Sequence, residues 1–273
     1  MGTFSGKTIF ITGGSRGIGK AIGLKMASEG ANIVIAAKTA LPHPKLEGTI
    51  FSAAQEMEQA GGKALAVEMD IRQEEMVDVA IEKAINVFGG IDILINNASA
   101  INLSGTASLG MKAFDLMQQI NGRGTFMMSQ KCLPYLIKSE NPHILTLSPP
   151  LNMDSKWFAQ YPAYTVSKYT MSMFVKGFAE EFKSAGIAVN ALWPKTLIAT
   201  AAIKYLPGGD EMLKRARHPE IVADAAFVIL SKKAKENTGN FFVDEEVLKL
   251  AGVEDFKKYA VDSGLEPIPD LFL

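Results

Sequence analysis

A chain of 273 residues, 48% hydrophobic, 21% charged and 8% aromatic, has the composition of a globular protein with material for one large core, which excludes a disordered chain, a collagen-like repeat and a coiled rod. Its 28 basic and 29 acidic residues leave a net charge of −1, and the basic ones are scattered, so no face for nucleic acid is visible. No apolar run is long enough to span a bilayer, so no membrane span is expected.

The length alone leaves one domain or two open, and the pattern decides. Apolar, β-branched runs recur at 8–12, 32–37, 63–69, 91–96, 144–148, 187–193 and 240–243. They alternate with helix-period segments such as 21–30, 51–61, 74–88 and 171–182. Strict alternation implies βαβ crossovers and a parallel sheet covered on both faces, and the nearly continuous hydrophobic strands agree. The expected fold is α/β, a Rossmann-like doubly wound parallel seven-stranded sheet forming a single domain over 1–273. Segments 38–48, with Pro42 and Pro44, and 149–161, opening Pro149-Pro150, read as loops. Residues 244–273 read as a C-terminal extension, a short helix with an extended end. The lone Cys132 cannot form an internal disulfide and reads as a core thiol, which points to a cytoplasmic or other reducing compartment. Residues 1–6 lack the features of a signal peptide, and the chain is expected to begin at its first structural element.

Strand one runs into Thr12-Gly13-Gly14-Ser15-Arg16-Gly17-Ile18-Gly19 and then into a helical segment. Glycines at that place let the chain turn tightly, let backbone N–H groups approach a pyrophosphate, and let the helix pack closely, while the helix N-terminus adds a positive dipole end. Gly13, Ser15, Arg16, Gly17, Ile18 and Gly19 are therefore candidate nucleotide contacts. An acid at the end of strand two would hold the ribose hydroxyls of NAD, but this strand ends Ala37-Lys38-Thr39 without one. Lys38 and Arg16 suit an extra phosphate dianion, so NADP(H) is expected over NAD(H). Asp70, closing strand three, is a candidate adenine acceptor or an N-cap for the next helix. Asn97, in Asn96-Asn97-Ala98-Ser99 after strand four, sits at the carboxyl edge where ligands bind in such sheets.

Tyr164 and Lys168 stand four apart at the start of a helical segment, so both project from one face. A free tyrosine titrates near ~10, too high for a base at neutral pH, and a neighbouring ammonium is expected to lower it.

Taken together, TGGSRGIG, the Asp70 strand end, NNAS, Asn121 in QINGRG, Ser148 in TLSPP, YTVSK and the NALWP strand end resemble the short-chain dehydrogenase/reductase family, in order and spacing and over nearly the whole chain. The resemblance implies that Tyr164 is the proton donor and acceptor for a carbonyl or alcohol. It implies that Lys168 holds the nicotinamide ribose and lowers the Tyr164 pKa, that Asn121 anchors a proton-relay water and that Ser148 hydrogen-bonds the reacting oxygen. Backbone near Pro194 and Thr196 would meet the cofactor. The chain departs from the family at three points. Pro149 stands where a second serine is frequent, with a long interval from Ser148 to Tyr164; Ser99 replaces the glycine of NNAG; and Lys195 replaces a glycine after Pro194, removing its φ > 0 freedom.

Leu151, Met153, Trp157, Phe158, Trp193, Ile203, Tyr205 and Leu206 fall beyond strand ends, where a pocket for a lipid-like carbonyl or alcohol substrate would be built. Met127, Met128, Met171, Phe174 and Phe178 lie on two helices that pair between subunits in the family; core packing explains some of them and a helix-bundle interface the rest, so a homodimer or homotetramer is expected. His43, His143 and His218 lack metal-ligand spacing, and no metal site is expected. A second reading is a catalytically weak nucleotide- or lipid-binding module of the same fold, motivated by Pro149, Lys195 and the long loop.

Overall fold

The computed structural model describes residues 2–44 and 46–273. Seven parallel strands, β1 (Thr8–Thr12), β2 (Asn32–Ala37), β3 (Lys63–Glu68), β4 (Ile93–Asn96), β5 (His143–Thr146), β6 (Ala188–Trp193) and β7 (Phe241–Val243), stand in the order β3-β2-β1-β4-β5-β6-β7. The order reverses between β1 and β4, and that switch point is where an open α/β sheet leaves a crevice at its carboxyl edge.

Alternate strand residues feed two cores. Ile9, Ile11, Ile33, Ile35, Ile93 and Ile95 point to one face, where α1 (Gly17–Ser28), α2 (Ile50–Gln59), α10 (Glu220–Leu230) and α11 (Asp244–Leu250) cover them. Phe10, Val34, Leu94 and Ile144 point to the other, beneath α3 (Glu74–Phe88), α5 (Thr125–Leu136) and α7 (Pro162–Glu181). Cys132 is fully buried in this second core, and burial pushes its thiol pKa up, as a core thiol requires. The remaining helices are short: α4 (Met111–Met117), α6 (Lys156–Ala159), α8 (Ala201–Lys204) and α9 (Gly209–Lys214).

The seven expected strands are present. The apolar period at 171–182 and the helical segment read at Tyr164 and Lys168 are one helix, α7, which starts at Pro162, whose pre-set φ suits a first turn. The loop expected over 149–161 contains the one-turn helix α6. Among the described residues, no helix is long and apolar enough to cross a membrane.

Candidate active site

The glycine turn is built as its residues require. Gly13 takes φ +69°, which a side chain would strain, and a Cβ on Gly19 would lie 2.7 Å from the Gly13 carbonyl and press into the Asn97 amide. The Thr12 hydroxyl accepts the backbone N–H groups of Asn97 and Ala98 at 3.1 and 3.0 Å. The Asn97 amide in turn donates to the carbonyls of Thr12 and Gly13 at 2.9 and 3.0 Å. These bonds tie β1 to β4 at the switch point. Asn97 is thus an anchor of the turn as well as part of the wall of the groove that opens there.

That groove measures about 1010 Å³ and is lined by Gly13, Ser15, Arg16, Gly17, Ile18, Lys38, Asp70 and Asn97, eight of the residues picked out from the sequence. Gly19 lies behind it, wedged against Asn97. The first turn of α1 has neither a side-chain cap nor an acidic residue, which leaves its N–H groups and positive dipole end for a ligand. Tyr164, Lys168, Pro194 and Thr196 are not among the described residues lining the groove.

The basic corner is more engaged than the sequence suggests. Arg16 donates to the carbonyls of Glu47 and Gly48 at 3.2 and 2.9 Å, pinning the 38–48 loop, and its partial burial lowers its pKa. Lys38 lies 3.3 Å from the Asp70 carboxylate, which Arg72 holds through its Nε at 2.9 Å. The Arg72 guanidinium, with help from Lys38, keeps Asp70 well below the usual carboxylate range. Asp70 is not the N-cap of α3; Gln73 occupies that position, and Asp70 accepts the Arg72 backbone N–H instead. Arg72 was missed, although its place two residues after the acid is a recognisable local pairing.

Tyr164 and Lys168 share one face of α7 and are 6% and 2% exposed. Lys168 donates to the Leu147 carbonyl at 2.6 Å and sits 5.0 Å over the Trp193 ring. Asn121, wholly buried in the π-helical turn Gln118–Gly124, accepts from Ala100 N–H and the Ser99 hydroxyl at 2.8 and 3.1 Å. It donates to the Ala100 carbonyl and to Ser167 at 3.0 and 2.9 Å, and the Ser167 hydroxyl donates to the Tyr164 carbonyl at 2.8 Å. Asn121 therefore positions α7. The Ser148 hydroxyl is buried without a hydrogen-bond partner among the described residues.

The expectation that Lys168 lowers the Tyr164 pKa is not met in this arrangement. Burial dominates both groups, driving the phenol up, with the Asp270 charge adding to it, and Lys168 down to about 7. Burial also raises Asp270 to about 7.

A strap over this chamber, residues 268–272, was not foreseen. Its backbone follows the stretch after β6 through Leu197 N–H to the Ile268 carbonyl, at 2.9 Å, and Asp270 N–H to the Lys195 carbonyl, at 3.1 Å. The Trp193 indole donates to the Leu271 carbonyl at 2.9 Å. Phe272, 2% exposed, places its ring centroid 5.3 Å from Tyr169, 5.8 Å from Trp157 and Trp193, and 6.2 Å from Tyr164. Of the expected pocket residues, Leu151, Trp157, Phe158 and Trp193 join this aromatic cluster, Trp193 from the end of β6 rather than a loop. Met153 and Tyr205 are exposed instead. Lys195, in place of the family glycine, gives its N–H to the buried Asp244 carboxylate at 2.8 Å.

Comparison with known proteins accords with this geometry. A family model described as short chain dehydrogenase matches residues 7–207. The chain is 58% identical over 272 residues to hydroxysteroid dehydrogenase-like protein 2 of Danio rerio and 57% identical to that of Homo sapiens. All of this chain is covered in both, but only 65% and 64% of those proteins, so it spans just under two thirds of their length. Among solved structures, a protein from Xanthomonas campestris superposes with a TM-score of 0.96 at 52% identity, covering 99% of this chain and 98% of the other. A short chain dehydrogenase from Mycobacterium thermoresistibile gives 0.93 at 50% identity, covering 98% and 95%. The chain accordingly belongs to the short-chain dehydrogenase/reductase family, NAD(P)-dependent oxidoreductases acting on CH–OH groups.

Proposed function

We propose that this chain is an NADP(H)-dependent oxidoreductase that interconverts a hydrophobic, lipid- or steroid-like carbonyl and its alcohol, with Tyr164 as proton donor and acceptor. The observation that carries this reading is that Lys168, one turn from Tyr164 on the same face of α7, bonds the Leu147 carbonyl, next to a Ser148 hydroxyl that is buried without a partner among the described residues. A buried hydroxyl without a partner costs free energy unless a ligand completes it. The groove fits a dinucleotide, since a glycine turn, an uncapped helix start and cationic side chains, Arg16 and Lys38 among them, line it. Gly13, Ser15, Gly17 and Ile18 would meet the phosphates, Arg16 and Lys38 the 2′-phosphate, Asp70 the adenine, and Asn97, Pro194 and Thr196 the far end.

Bound there, the cofactor would supply or accept a hydride at its nicotinamide. The residues do the rest. Tyr164 passes the proton to or from the substrate oxygen, Ser148 donates a hydrogen bond to that oxygen, and Lys168 would hold the nicotinamide ribose. Asn121, tied to Ser99 and through Ser167 to α7, fixes the height of Tyr164 and is the candidate anchor for a relay water. The aromatic cluster around Trp157 and Trp193 favours an apolar substrate.

Titration by fluorescence or thermal shift tests the cofactor reading. NADPH is expected to bind about tenfold more tightly than NADH, with the preference lost in Lys38→Ala; tighter NADH binding overturns it. Tyr164→Phe is expected to reduce NADPH-dependent turnover of apolar ketones by at least about a hundredfold. The burial of Tyr164 favours the second reading, a catalytically weak binding module, and equally slow turnover by wild type and Tyr164→Phe would establish it. The exposed apolar stripe on α7 supports a homo-oligomer, most simply a dimer.

A further inference from the structure

We propose that the strap 268–272 is a displaceable lid on the catalytic chamber, and that Phe272 is the residue that decides how much substrate bulk can stand beside Tyr164. The inference rests on the oxidoreductase reading above and concerns a segment outside the cofactor groove. Substrate oxygen must come within hydrogen-bonding reach of the Tyr164 hydroxyl, yet Tyr164 is 6% exposed and the groove does not reach it. The Phe272 ring lies among Trp157, Tyr164, Tyr169 and Trp193, so the apolar volume nearest the proton donor is filled by the protein's own side chain.

The strap is also held in a way that allows release. It is attached by the bonds to Lys195, Leu197, Trp193 and the Arg215 carbonyl, and is not part of the seven-stranded sheet. Phe272 adopts φ +75°, a conformation a phenylalanine leaves readily for extended backbone. The strap also fails to satisfy polar atoms beside it. Trp157 Nε1, whose ring meets Phe272, and Thr196 Oγ1, at the bridge to Pro269, are buried without partners among the described residues. A permanent wall would leave those groups unpaired with no compensation, whereas a lid that opens to water or to a polar substrate group relieves them. The Asp270 carboxyl, raised to about 7 by burial and close enough to Lys168 and Tyr164 to alter their ionisation, regains water on opening.

Two measurements on the full chain test the lid. The first is hydrogen exchange at the Trp193 indole N–H, which bonds Leu271, against the backbone amide of Leu192 in β6. The indole is expected to exchange at least about a hundredfold faster, through local opening; exchange at the β6 rate makes the strap a fixed wall and overturns the proposal. The second is kcat/KM with NADPH for butanone and for a long-chain methyl ketone, in wild type, Phe272→Ala and Phe272→Leu. The long-to-short ratio is expected to rise about tenfold in Phe272→Ala and less in Phe272→Leu. An equal change for both ketones, or a falling ratio, denies Phe272 its selecting role. Failure of the wild type to bind NADPH or reduce either ketone overturns the functional reading instead, and the indole exchange still decides whether the strap opens.

Discussion

His143, which opens β5, and Ser148, two residues beyond its end, show how a buried atom without a partner separates function from stability. The Ser148 hydroxyl makes no hydrogen bond among the described residues that a mutation could remove, so Ser148→Ala is expected to leave the melting temperature unchanged or slightly raised. If the hydroxyl meets the reacting oxygen, the same change lowers kcat about a hundredfold, the usual scale for one lost oxyanion donor. Retained kcat in Ser148→Ala would reduce it to a loop residue beside Pro149. His143 is 1% exposed, its Nε2 bonds the Lys232 carbonyl, and burial lowers its pKa from 6.5 to about 4. The unfolded chain therefore takes up a proton that the folded one refuses. Stability attributable to this residue is intact above pH 6.5, falls as the pH drops to about 4 and then levels off, a loss of roughly 3 kcal/mol. His143→Gln is expected to gain on the wild type by that amount across the same interval in urea denaturation, and a pH-independent difference would contradict it. Side-chain chemistry of this kind was partly legible in advance. The spacing of Tyr164 and Lys168 and the acid at Asp70 were readable, but which groups lack a partner depends on distant segments.

At the scale of elements, the decisive junction is the turn from β1 into α1. Gly19 is pressed against Asn97, the residue that ties β1 to β4, so Gly19→Ala has to push the helix away from the strand ends. It is expected to cost about 1–3 kcal/mol as overpacking and to weaken NADPH binding together with it, read by thermal denaturation and cofactor titration. Unchanged binding would mean that α1 can shift without disturbing the cradle. This junction was legible because glycines, a strand end and a helix start lie within eight residues, and local rules govern each of them. The alternating strands were legible for the same reason. The start of α7 was legible from the Tyr164–Lys168 spacing but not from an apolar period, since its first turn directs side chains into the aromatic cluster rather than onto a regular apolar face. The strap was invisible for a stronger reason. Ile268, Pro269, Asp270, Leu271 and Phe272 have no helical or strand period, and each is placed by a contact more than fifty residues away in sequence, to Leu197, Thr196, Lys195, Trp193 or Tyr164.

For the molecule as a whole, α7 has to serve two directions. Its inner face presents Tyr164 and Lys168, while Val166, Thr170, Met173 and Gly177 recur at intervals of three and four residues along another stripe, where Val166 and Met173 are exposed. Nothing among the described residues would meet a Cβ on Gly177, so a second backbone could approach closely there. Next to this stripe, Phe126 of α5 is exposed and its ring lies tilted against Phe174 and the buried Phe178 at 5.4 and 5.8 Å, extending the apolar surface toward α5. Met127, Met128, Met171 and Phe178 are buried, so core packing accounts for them and the candidate interface narrows to the outward residues. A two-fold pairing of α5 and α7 would bury this surface and clamp the helix that carries the proton donor. Met173→Glu would place an unpaired carboxylate at its centre and is expected to raise the dimer dissociation constant at least about a hundredfold, measured by light scattering across a dilution series. Because α7 is common to both, turnover should fall with dissociation and recover as concentration restores the dimer. A wild type that scatters as a monomer at every concentration would remove the interface, and with it any support for Tyr164 from a second subunit.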